Sequence, residues 1–125
     1  MRTLVVEDDL MSRKLMTAYL SQYGECDAAA NGEEAIEAFN STEKRYDLIT
    51  LDIMMPGISG QDVLRSIRSI EGQTGFPEVK IIMTTALESP NTILASFKSQ
   101  CNGYLVKPIT SDKLLTLLRE LCLVE

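Results

Sequence analysis

Short apolar runs alternate with longer amphipathic stretches from one end of this chain to the other. The runs are TLVV (3–6), a weaker CDAAA (26–30), LITL (48–51), VKIIM (79–83) and YLV (104–106). Runs of this length read as strands, and the stretches between them carry helical periodicity over about 10–23, 33–43, 60–71, 90–99 and 111–123. Helix-start signals sit where the pattern needs them. Asn31 with Glu34, and Ser59 with Asp62, read as capping pairs. Ser89-Pro90 places a cap before a proline at the first helical position. Thr110 or Ser111 can cap the last helix. Five strand–helix alternations imply a single α/β domain with a parallel sheet and helices on both faces. Strands that are apolar throughout fit a sheet covered on both sides.

Each strong strand gives way to polar residues. TLVV runs into Glu7 and Asp8, LITL into Asp52, VKIIM into Thr84 and Thr85, and YLV into Lys107-Pro108. In a parallel sheet these C-terminal ends share one edge, where open α/β folds bind ligands. Three carboxylates gathered there repel one another, by about 4 kcal/mol per pair at 4 Å and an effective dielectric near 20. A counter-charge is therefore required. Oxygen ligands with no histidine or cysteine beside them point to a hard cation, Mg²⁺ before Zn²⁺. A carboxylate beside Mg²⁺ can act as a nucleophile toward phosphorus. Lys107 and the Thr85 hydroxyl are suited to hold phosphoryl oxygens.

Composition narrows the rest. The chain has 125 residues and a net charge of −6, one domain's length and a charge that disfavours nucleic acid or an anionic membrane as main partner. No apolar run approaches a membrane span and no signal peptide is read, so a cytoplasmic protein is expected. Three cysteines, Cys26, Cys101 and Cys122, lack C-x-x-C spacing and are expected to be buried thiols in a reducing compartment. With no histidine, His-based zinc sites, Ser-His-Asp triads and an internal phosphohistidine are all excluded.

The motifs LVVEDDLMSR, LITLDIMMPGISG, IIMTTA and GYLVKPIT, in that order, resemble the receiver domains of two-component response regulators, in particular the stand-alone chemotaxis type. The likeness covers essentially the whole chain. It implies a flavodoxin-like (βα)5 domain with strand order 2-1-3-4-5, an order that belongs to the family and that periodicity alone does not supply. It implies Asp52 as phosphoacceptor, with Asp8 binding Mg²⁺ directly and Glu7 through water. Asp9, one place beyond the acidic pair, is not expected to be a ligand. The Met54 backbone carbonyl would supply another metal ligand. Thr85 would be the switch hydroxyl, with Met54, Ala86 and Lys107 also meeting the phosphoryl group. Tyr104 would be the switch aromatic, and a cis peptide commonly precedes the proline at Pro108. Glu7 departs from the family's more usual Asp at the first acidic position.

The resemblance also implies partners. A histidine kinase or histidine phosphotransfer protein would donate the phosphoryl group. Output would pass to a protein target through the face formed by the helix over 90–99 (Ile93, Phe97), the last strand with Tyr104, and the last helix, which also allows a phosphorylation-linked homodimer. Leu114, Leu115, Leu117, Leu118, Leu121, Cys122 and Val124 cover about half of that last helix, more than a core stripe of roughly 100° needs. The excess fits either a second contact or a generous core stripe. The expectation is one receiver domain over 1–125 with no output domain after it; the alternative is a receiver taken from a longer chain. Direct binding of nucleic acid is not expected. Three rivals stand beside this reading. A Mg²⁺-dependent phosphohydrolase would want an acid at Met54, a flavin module would want a Ser/Thr/Gly-rich loop in place of EDDLMS, and a degenerate receiver would lack the intact Asp52, Thr85 and Lys107.

Overall fold

The computed structural model describes residues 1–41, 45–86 and 100–125. Five strands, β1 (Arg2–Val6), β2 (Glu25–Ala29), β3 (Leu48–Asp52), β4 (Lys80–Thr85) and β5 (Gly103–Val106), form one sheet in the order β2-β1-β3-β4-β5. Every neighbouring pair is parallel. Four helices are described: α1 (Leu10–Ser21), α2 (Gly32–Asn40), α3 (Gly60–Thr74) and α4 (Ser111–Glu120). The helix expected over 90–99, with its Ser89-Pro90 cap, lies outside the described residues.

Alternation along the strands divides the apolar side chains between two cores. Leu4, Val6, Ile49, Leu51, Ile81 and Met83 face α2 and α3, together with Phe39 and Ile67. Val5, Leu48, Ile82 and Leu105 face α1 and α4, meeting Met16, Leu20, Leu114 and Leu118. Each such side chain, once buried, contributes about 1.5–3 kcal/mol. With both faces covered, the sheet exposes only its ends, and the polar strand ends become the place where chemistry can sit.

The helix starts obey the cap residues. Asn31 Oδ1 accepts from the Glu34 amide at 2.9 Å, and Glu34 reaches back to the Ala30 amide at 2.7 Å. Ser59 Oγ accepts from the Asp62 amide at 3.2 Å. Thr110, rather than Ser111, caps α4, its hydroxyl accepting from the Lys113 amide. Helix ends diverge more from the periodicity. The third helix runs past the exposed Gly72 and stops at Gly75, whose φ of 75° is easy only for glycine. The last helix stops at Glu120 rather than 123. There the Leu123 amide bonds the Leu118 carbonyl at 3.0 Å while Cys122 takes φ 60°, a Schellman closure without the usual glycine. Cys122 is consequently exposed, correcting the expectation of three buried thiols, while Cys26 and Cys101 are half-buried.

Candidate functional site

Strand register assembles the site. Val6 of β1 lies opposite Leu51 of β3, so Glu7 leaves the sheet beside Asp52. Asp52 pairs with Thr84 of β4, and Thr85 with Val106 of β5, one residue before Lys107. The Lys107 amide bonds the Thr85 carbonyl at 2.7 Å, and the peptide between Lys107 and Pro108 is cis. Carboxylate oxygens of Glu7, Asp8 and Asp52 lie within 4.8 Å of one another. Glu7 and Asp52 are buried and Asp8 is exposed, so the cluster opens to solvent on the Asp8 side.

Lys107 reaches into this cluster. Its Nζ donates to Glu7 Oε2 at 2.9 Å and to Asp52 Oδ2 at 3.4 Å. The other Asp52 oxygen accepts from the Met54 amide at 3.1 Å. Burial, with Asp52 beside it, pushes the Glu7 carboxyl up to about 7 against the opposing pull of Lys107. Burial alone would lower the Lys107 ammonium, but its bond to Glu7 and the charge on Asp52 outweigh that and raise it. Three carboxylates thus face one ammonium in a half-closed pocket. The donors are all oxygen, two buried and one open to water, which suits a hard divalent cation that keeps part of its hydration. Among the described residues the set fits Mg²⁺ by its chemistry.

The remaining candidates stand around this centre. Thr85 is wholly buried at the end of β4, and Ala86 beyond it is exposed. Met54 is exposed at the rim, while Met55 is buried in the core facing α2 and α3. Tyr104 is 45% exposed and borders an open groove along α4, lined also by Lys113, Thr116 and Leu117. Of the apolar excess on the last helix, Leu117, Leu121 and Val124 pack against the α1 and α4 core, which leaves Leu115, half-buried, and Cys122, exposed, at its margin. Ile93 and Phe97 lie outside the described residues.

Two supporting residues escape a reading of strand ends. Asp9 caps α1, accepting from the Ser12 amide at 2.8 Å, while its own amide donates to Glu7 Oε1 at 3.2 Å. Arg13, one turn into α1, donates from Nη1 to the Glu7 carbonyl at 2.9 Å and the Asp8 carbonyl at 3.4 Å. Together they fix the loop from which both acids project. The cap has a local signal, an acid three residues before Ser12; nothing local marks Arg13, whose partners are carbonyls.

Comparison with known proteins gives the family and the fold. The family model described as the response regulator receiver domain matches residues 3–119. The chain is 37% identical over 110 residues to the transcriptional regulatory protein ResD of Bacillus subtilis, covering 87% of this chain and 42% of that one. It is 36% identical over 120 residues to transcription factor SKN7 of Chaetomium thermophilum, covering 94% of this chain and 15% of that one. The chain therefore spans less than half the length of either relative. Among solved structures, chemotaxis protein CheY4 of Vibrio cholerae superposes with a TM-score of 0.80 at 28% identity, covering 95% and 96% of the two chains. Response regulator TrrA of Thermotoga maritima, solved in complex with Mg²⁺-BeF, gives a TM-score of 0.76 at 37% identity, covering 96% and 97%.

Proposed function

We propose, from the premise that this chain belongs to the response regulator receiver domain family, that it takes a phosphoryl group onto Asp52 from a phosphohistidine on another protein. The observation that carries this reading is the position of Asp52, buried at the end of a central strand with Lys107 Nζ at 3.4 Å and the oxygens of Glu7 and Asp8 within 4.8 Å. A carboxylate so placed is a nucleophile held among groups that can neutralise incoming phosphoryl oxygens.

In the proposed reaction an Asp52 oxygen attacks phosphorus as the bond to the donor imidazole nitrogen breaks. The electron pair leaves with the imidazole, and Asp52 becomes an acyl phosphate. Lys107 pairs with the transferred oxygens, and the Met54 amide orients Asp52. Glu7, Asp8, Asp52 and the Met54 carbonyl would hold Mg²⁺, which when bound supplies charge neutralisation for the phosphoryl group. The Thr85 hydroxyl and the Ala86 amide would then bond the phosphoryl oxygens. The added charge of about −2 biases Thr85 and Tyr104 toward an active arrangement. Water later hydrolyses the acyl phosphate. The product is a changed surface, not a released metabolite.

The donor is a histidine kinase or histidine phosphotransfer protein, in the cytoplasm. The recipient is a protein target that meets the face containing Tyr104 and α4. Titration with Mg²⁺ and beryllofluoride tests this directly. Wild type should bind beryllofluoride only with Mg²⁺, and Asp8→Asn should lose both. Phosphorylation that proceeds normally in excess chelator would refute the metal assignment.

A further inference from the structure

On the α1 and α4 side of the sheet, a cavity of about 430 Å³ runs beneath Lys107. Its walls are apolar: Val5 on β1, Leu15 and Met16 on α1, and Ile109 after β5. Three hydroxyl residues break that lining, the half-buried Ser12 on α1 and two threonines, Thr50 on β3 and Thr84 on β4. Both threonines are buried, yet neither hydroxyl is among the side-chain atoms sealed from solvent without a partner, so both open onto the cavity. A hydroxyl that opens onto a cavity can bond the polar group of whatever occupies it. Two of them in one cavity, on neighbouring strands, mark a place built to meet a polar group. The phosphoacceptor chemistry proposed above uses neither.

Size and charge select the occupant. The volume lies within the roughly 300–1,000 Å³ of small-molecule sites. Glu7 and Lys107 stand at the rim. Lys107 is already paired, at 2.9 Å with Glu7 and at 3.4 Å with Asp52. An entering anion would meet those carboxylates, and a cation would be drawn to the acidic cluster itself rather than into the apolar cavity. A neutral molecule is the occupant the apolar walls favour.

We propose that this cavity binds a compact neutral molecule, a single ring or short aliphatic body carrying one hydroxyl or amide. Its polar end hydrogen-bonds Thr50 and Thr84, and its body packs between Leu15 and Ile109. The bound molecule touches the stem of Lys107 and Pro108, which joins the cavity to the phosphoacceptor cluster.

Phenol, with benzoate as its charged counterpart, is the probe. Methyl NMR tracks Val5, Leu15, Thr50, Thr84 and Ile109 during titration of the intact chain. Phenol should shift these methyls saturably, and benzoate should bind at least about tenfold more weakly. The double variant Thr50→Val with Thr84→Val keeps the shape and removes both hydroxyls. It should weaken phenol roughly tenfold, since one neutral hydrogen bond is commonly worth several-fold in affinity. Should the double variant fail to fold, each single variant gives the same reading with a smaller step. The proposal is overturned if no saturable shift occurs at these methyls, if the valine variants bind phenol as tightly as wild type, or if benzoate binds as tightly as phenol. In the first of these cases the cavity holds water alone.

Discussion

Lys107 and Glu7, one hundred residues apart in the chain, meet at 2.9 Å between Nζ and Oε2. The contact joins the exit of β5 to the exit of β1 across β4 and β3. It also sets a balance, because Lys107 is shared with Asp52 at 3.4 Å and cannot fully neutralise two buried carboxylates.

That balance makes the metal-free protein sensitive to pH. The folded-state Glu7 carboxyl, pushed mainly by burial from 4.5 up to about 7, keeps its proton more tightly than the unfolded chain does. Its stabilising effect is complete below about 4.5 and is lost as pH rises through about 7. With chelator present, stability should fall between about pH 5 and pH 8 by on the order of 2–3 kcal/mol. Glu7→Gln should flatten this fall, and Lys107→Met should steepen it. Urea midpoints at the two pH values measure the effect. An equal slope in wild type and Glu7→Gln would contradict it.

Gly60 packs against the backbone of Asp52 itself. A Cβ at this position would overlap the Asp52 carbonyl oxygen. Since the obstacle is backbone on a central strand, it cannot swing aside. Gly60→Ala should destabilise the fold by about 3 kcal/mol or more and lower Mg²⁺ affinity with it. Gly72→Ala, where a Cβ meets open space on the same helix, is the matched control and should be neutral or slightly stabilising. Chemical denaturation of both variants tests the pair.

Arg68 is the main polar anchor between α3 and the strands beyond it. It donates to Glu71 at 2.8 Å, to the Val79 carbonyl at 2.9 Å, to the Gln100 carbonyl at 2.7 Å and to Asn102 at 3.1 Å. Glu71 is buried and also accepts from the Val79 amide at 2.7 Å. Arg68→Met should cost about 3–5 kcal/mol, because it leaves a buried carboxylate uncompensated. Adding Glu71→Gln should recover part of that loss. A double variant no more stable than Arg68→Met would show that the cost lies elsewhere.

The parts of this molecule that are legible in the sequence are those written locally. Strand ends Glu7, Asp8, Asp52, Thr85 and Lys107 can be found because an apolar run ending in a polar residue needs no partner to be recognised. Asn31, Ser59 and Thr110 are readable as caps for the same reason. The residues that hold the site and the fold together across distance are not. Arg13 acts on carbonyls, which every residue has, and Arg68 draws on partners up to 34 positions away. The early end of α4 is hidden because Cys122 stands where glycine would have announced the stop. Strand order comes from resemblance and is upheld by the sheet; periodicity gives which faces are apolar, not which strands are neighbours.

If Asp52 is phosphorylated as proposed, Met54 should bear on the lifetime of that state. It is 65% exposed two residues after Asp52, and its side chain cannot usefully orient a water by hydrogen bonding. Hydrolysis should therefore be slow, and Met54→Asn should speed decay by roughly tenfold or more, since about 1 Å of misplacement costs on the order of a hundredfold. Leu87→Glu, two residues after Thr85 and outside the described residues, should act in the same direction. Decay of the phosphorylated protein at constant Mg²⁺ is the readout. Unchanged or slower decay in both variants would discard water positioning as the cause.

The most direct test of Asp52 as the phosphoacceptor is intact-protein mass after incubation with acetyl phosphate and Mg²⁺. Wild type should gain one phosphoryl group, and Asp52→Asn should gain none under the same conditions. Chelator should suppress the gain in wild type. Equal phosphorylation of wild type and Asp52→Asn would contradict the assignment.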